Sequence, residues 1–161
     1  MKKKNKFLWT EKYQEAFDRL KAILESAPVL TSPDFSQPFK LYVDASDVEV
    51  GAVLLQDDQI GVEHPVSYFS KKLNKHQRNY SAIEKEYLVL ILALQHFEVY
   101  ISSAPSPIVV FSAHNHLNFI GRIKNKNQRL LRRSLFLQEY NRDIRYIKGK
   151  DNFSAHALSR L

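Results

Sequence analysis

Two carboxylates in this 161-residue chain stand where carboxylates are costly. Asp44 closes a strand in which Phe39, Leu41 and Val43 alternate with Lys40 and Tyr42, the period-2 pattern of a half-buried strand. An acid there is tolerated only if it meets water, a cation or a metal. The alternative is a turn residue, because Asp and Ser favour turns, and the residues alone leave both readings open. Glu86 lies in a long helical segment opened by Ser81-Ala-Ile-Glu84, a capping box in which the serine accepts from a first-turn amide and the glutamate reaches back. Ile83, Tyr87, Leu90, Leu94 and Phe97 form the apolar stripe of that helix at spacings of four and three. The cap uses Glu84, whereas Glu86 sits at the edge of the stripe, and position 90 is leucine, so no cation answers it one turn on. A third group of residues offers charge. Arg122, Lys124, Lys126, Arg129, Arg132 and Arg133 occupy a segment nearly free of acids. Such cations can neutralise backbone phosphates, or they can be a solvated helix face.

The elements that must position these residues follow from the patterning. Thr10 can cap a first helix carrying Phe17, Leu20 and Leu24 at helical spacing, which Pro28 stops. A linker with Pro33 and Pro38 leads to the Asp44 strand. Gly51 eases the backbone into a second strand at Val53, Leu54 and Leu55, and a polar turn at Asp57, Asp58 and Gln59 precedes a third at 65–73. Connections this short imply an antiparallel meander. After the long helix, Ile108 to Phe111 reads as a buried strand. A short helical stretch around Leu117 and Ile120, a basic amphipathic helix over 125–138, a last strand at 144–147 ended by Gly149, and a terminal helix over 152–161 complete the order. That order predicts one α/β domain, a mixed sheet with helices packed on it. The net charge of +7 favours a polyanionic partner. With no cysteine, disulfides and thiolate metal sites are excluded. No apolar run is long enough to span a membrane, so the expectation is an intracellular protein, of nucleus or cytoplasm. Lys2, Lys3 and Lys4 precede no signal-peptide core.

A series of short motifs then carries a resemblance. Phe7-Leu-Trp9, Ala16-Phe-Asp-Arg-Leu-Lys21, Ala27-Pro-Val-Leu30, Pro33-Asp-Phe35, Val43-Asp-Ala-Ser46, Gly51-Ala-Val-Leu-Leu-Gln56, His64-Pro-Val66, Asn79-Tyr-Ser81, Glu84-Lys-Glu86, Tyr146-Ile-Lys-Gly149 and Ala157-Leu-Ser-Arg160 follow one another in a fixed order. Together they resemble the RNase H-like domain of a Ty3/Gypsy-type LTR retrotransposon reverse transcriptase. The resemblance implies an RNase H-like fold: a mixed five-stranded sheet, its first three strands antiparallel, with flanking helices. It also divides the chain into residues 1–38, resembling the helix and linker that connect a polymerase thumb to RNase H, and residues 39–161, the domain itself.

In that family two magnesium ions, held by an Asp-Glu-Asp-Asp set, clamp the scissile phosphate and activate a water. Motif matching places the first Asp at Asp44 and the Glu at Glu86. The third ligand position falls on Ala113 in Ser112-Ala-His-Asn115, and the fourth on His156 in Ala155-His-Ala-Leu-Ser-Arg160. The four positions should cluster around one cleft. Alanine offers no ligand, and imidazole suits zinc or copper better than magnesium. No bound cofactor is therefore expected; at most Asp44 and Glu86 would hold one weakly bound ion. Glu49 in place of a glycine, Arg133 in place of a tryptophan and His116 in place of a proline are further departures. The resemblance implies a catalytically inactive module for binding or scaffolding, domesticated by a host, and proteins joining a NYN domain to a retroviral-type integrase are one such family. Its partner would be an RNA/DNA hybrid or other nucleic acid, held by the basic segment. Two alternatives stay open: a protein-interaction domain with a protein partner or a second copy of itself, and a residual nuclease in which His114 or His156 serves as a ligand.

Overall fold

The computed structural model describes residues 8–25, 30–114 and 128–160, excepting the side chains of residues 24, 25, 129 and 130. Five strands make one sheet: β1 (Lys40–Ala45), β2 (Glu49–Asp57), β3 (Glu63–Lys72), β4 (Ile108–Ser112) and β5 (Arg142–Tyr146). Their spatial order is β3-β2-β1-β4-β5. The first three form the expected antiparallel meander, while β4 runs parallel to β1 and β5 parallel to β4. Parallel neighbours need a crossover. Between β3 and β4 it consists of α2 (Lys75–Arg78), α3 (Ala82–His96) and α4 (Glu98–Ser102); α5 (Gln128–Gln138) lies between β4 and β5. Helix α1 (Glu11–Glu25) precedes the sheet and α6 (Phe153–Leu158) follows it.

The core lies between α3 and one face of the sheet. Leu41 and Val43 of β1, Ala52 and Leu54 of β2 and Val110 of β4 meet Tyr87, Leu90 and Leu94 of α3. The α3 stripe read from the sequence is thus the face that packs, and its start is the expected capping box at Ser81 and Glu84. Helix α5 contributes Leu137 to this core, but Leu131 and Leu135 remain 50% and 53% exposed.

Three details differ from the sequence reading. First, β2 is nine residues long and buried from Glu49 to Gln56, because α6 and the linker cover its second face. A buried strand shows little alternation, so the strand begins four residues before the Val53 that its pattern indicates. Second, Gly51 does not serve a bend. A Cβ there would lie 2.6 Å from Ser159 N and 2.7 Å from Ala155 O, so the glycine lets α6 rest directly on the strand. The bend that needs a glycine is at Gly61, φ +83°, where Asp58 Oδ1 accepts from the amides of Ile60 and Val62. Third, α2 was not anticipated, although Asn74 and Gln77 form a capping box of their own. The linker is stitched to the sheet by Gln56, which accepts from Asp34 N and donates to Asp34 O and Gln37 O. The stretch around Leu117 and Ile120 lies outside the described residues, as does the start expected for α5 at Asn125.

Candidate active site

Four elements end together at one side of the sheet. Asp44, near the C-terminal end of β1, is 8% exposed. Its Oδ2 accepts from Ser159 Oγ at 2.6 Å, and His156 Nδ1 stands 3.3 Å from the same oxygen. Both partners come from the α6 region, which is fixed at two further points. Asn152 Nδ2 donates to Val43 O at 2.9 Å, and Ser70 Oγ to Leu158 O at 3.0 Å.

Glu86 enters from α3 and is 2% exposed. Ser112 Oγ, at the end of β4, donates to its Oε2 at 3.2 Å, and His114 Nε2 lies 3.3 Å from Oε1. Burial, and then the negative charge of Asp44, push the Glu86 carboxyl up to about 8, against the lowering effect of its bonds with Ser112 and the Ala45 amide. Ser112 pairs with Val43, which puts Ala113, the next residue, beside the Asp44 strand end. Ala113 also faces the turn before α6, since a Cβ on Gly149 would be 3.9 Å from its own.

The geometry thus brings Asp44, Glu86, Ala113 and His156 to one place. What the site holds is two carboxylates, each with an imidazole nitrogen at 3.3 Å and a serine hydroxyl. Ser112 and Ser159 carry no signal of their own in the sequence, although Ser112 adjoins Ala113 and Ser159 lies three residues from His156. Glu49, at the β1–β2 hairpin, is buried; Lys72 Nζ is 3.9 Å from its Oε1, and Oε2 has no hydrogen-bond partner among the described residues.

The profile of a family described as an RNase H-like domain found in reverse transcriptase matches residues 9–110. This chain belongs to that family. The RNase H-like domain is 42% identical, over 165 aligned positions, to the Tf2-3 and Tf2-4 transposon polyproteins of Schizosaccharomyces pombe; the alignment covers all of this chain and 12% of each polyprotein. The chain therefore spans about an eighth of the length of these relatives. Among solved structures it resembles the protease-reverse transcriptase of prototype foamy virus, with TM-score 0.67 and 17% identity over 88% of this chain and 19% of that one. It also resembles RNase H1 of Halobacterium salinarum, with TM-score 0.57 and 17% identity over 75% and 93%. A further likeness is to LC11-RNase H1, solved in complex with an RNA/DNA hybrid, with TM-score 0.55 and 17% identity over 74% and 92%. At this identity the likeness to solved structures shows the fold, and the sheet order above is that fold.

Only part of the basic segment falls among the described residues. Arg122, Lys124, Lys126 and the side chain of Arg129 lie outside the described residues, as does His116. Arg132 is exposed. Arg133, assigned to a nucleic-acid face from its charge, turns inward instead. Its Nη1 donates to Glu84 O at 2.7 Å, and its guanidinium lies over the Tyr80 ring at 4.9 Å. It ties α5 to the first turn of α3, where a helix-wide charge count could not place it.

Proposed function

We propose that this RNase H-like domain is catalytically silent and acts as a nucleic-acid-binding module, descended from a retrotransposon reverse transcriptase and taken over by a host. The observation that carries the reading is the donor set around Asp44 and Glu86. A two-magnesium site needs several hard oxygen ligands to balance two dications and a phosphate. Position 113 offers a methyl group and position 156 an imidazole that already faces Asp44. The residues present do not fit the family's metal pair. What remains suits holding a backbone rather than cutting it. The supports for binding are the net charge of +7, exposed Arg132, and relatives of the same fold solved with double-stranded DNA or with an RNA/DNA hybrid. Phosphate contacts of this kind set position without reading sequence.

The test is a titration of a short RNA/DNA hybrid at two salt concentrations, followed by incubation with magnesium and with manganese. Expected are binding that weakens steeply with salt and an intact hybrid. Cleavage that Asp44→Asn abolishes would refute catalytic silence. Absence of binding at low salt would promote the second reading, a protein-docking domain. That reading is favoured by one observation, the two half-exposed leucines Leu131 and Leu135 on α5.

A further inference from the structure

Next to the Asp44–Glu86 site the β1–β2 hairpin tip reaches back over α3. Asp47, at that tip, has a side chain 97% exposed, yet its Oδ1 accepts a 2.7 Å hydrogen bond from Lys85 Nζ, whose side chain is 8% exposed. The pair borders a recess of about 250 Å³, lined also by Ser46, Tyr80, His114, Arg160 and, from the candidate site itself, Glu86. Lys85 first, and Arg160 more weakly, hold the Asp47 carboxyl below the usual carboxylate range. Two cations therefore stand at one recess with one exposed acid, Asp47, and one buried acid, Glu86, which its raised value of about 8 keeps mostly protonated at neutral pH.

The asymmetry is informative. A buried ammonium needs an anion, because removing its partner leaves an uncompensated charge out of water. Asp47 is the exposed half of the pair, on a loop tip in solvent, so an incoming anion that takes its place keeps the ammonium compensated. A phosphodiester carries one charge and two free oxygens, so it can take the lysine and the arginine at once, as charge-assisted bonds. We propose that this recess is an oxyanion subsite for a backbone phosphate of bound nucleic acid, and that Asp47 is an internal competitor which occupies Lys85 in the free protein and weakens binding. The proposal names a subsite and a restraint for the nucleic-acid reading above, and rests on it.

The experiment uses two probes, inorganic phosphate followed by NMR and a short RNA/DNA hybrid followed by anisotropy. Each is applied to the wild type, Asp47→Asn, Asp47→Asn with Arg160→Gln, and Glu98→Gln. The last removes the same charge from an exposed position just beyond the far end of α3. Asp47→Asn also leaves Lys85 without its anion, so a thermal melt checks that each variant folds. Expected is binding about fivefold tighter in Asp47→Asn, the scale of one exposed ion pair. That gain should be lost in the double variant and absent in Glu98→Gln, with a salt slope for the hybrid steeper by about one. Equal affinity of wild type and Asp47→Asn for both probes would overturn the proposal, as would the same gain in Glu98→Gln. If phosphate shows the gain while the hybrid binds to no variant, the oxyanion subsite stands and the nucleic-acid reading falls.

Discussion

Glu86 should destabilise this protein at neutral and alkaline pH, and replacing it with glutamine should make the domain more stable. The carboxyl sits at about 8 in the folded state against an ordinary value of 4.5. A raised folded value means that the folded state binds the proton more tightly than the unfolded chain. The resulting stability is fully present below 4.5 and is lost as pH rises through 8. Integrating the linkage relation between those two values, the ionised carboxylate costs about 1 kcal/mol at pH 5, about 3 at pH 7 and about 5 at pH 9. The amide side chain of the Glu86→Gln variant has nearly the same shape, can still accept from Ser112 Oγ through its one oxygen, and has no proton to lose. The wild-type and Glu86→Gln proteins should therefore be nearly equal near pH 5 and diverge steadily above it. At 2–4 °C per kcal/mol for a domain of this size, the variant should melt roughly 10 °C higher at pH 8–9. Chemical denaturation at pH 5, 7 and 9 measures the difference, and other titrating groups cancel to first order between the two proteins. Asp44→Asn provides an internal check: removing the second cause of the shift should flatten the wild-type dependence without abolishing it. Parallel stability curves for wild type and Glu86→Gln would refute the reasoning, because they would mean that Glu86 is not held in a place that resists its charge.

Two further predictions concern how α6 is held on the sheet. Gly51→Ala puts a methyl within 2.7 Å of the α6 backbone, so α6 should lift from β2, at about 3 kcal/mol and with earlier proteolysis near Leu158 than in wild type. Asn152→Ala removes the buried donor to Val43 O. It should cost about 2 kcal/mol in urea unfolding and speed amide exchange in 153–158, leaving the rest of the sheet protected.

Most of the architecture was legible because its signals are local. The capping box at Ser81, the stripe from Ile83 to Phe97 and the alternation before Asp44 each encode one element, and the order of elements then restricts the sheet. What escaped was fixed by contacts between distant parts of the chain. Gly51 looks like a turn residue until α6 arrives on top of it, and β2 loses its alternation because both faces are covered. Charge shows the same limit. Arg133 reads as one of six cations, and only the packing of α5 against α3 shows it donating to Glu84 O. Lys85 reads as the middle of a Glu-Lys-Glu run on a helix, and only the hairpin brings Asp47 to it from 38 residues away.

The stability argument and the functional reading meet at the same pair of residues. Natural proteins place groups that weaken the fold where a function once needed or still needs them. Asp44 and Glu86 repel each other in a buried corner, an arrangement whose ordinary compensation is a cation between them. Here each acid instead has an imidazole at 3.3 Å and a serine hydroxyl. The serine hydroxyls relieve part of the repulsion without a divalent ion, because each donates a hydrogen bond to a carboxylate oxygen. His156 supplies a side chain that faces Asp44. On the reading proposed above, a corner with these partners persists without a divalent ion, and the adjoining recess is where a phosphate would bind.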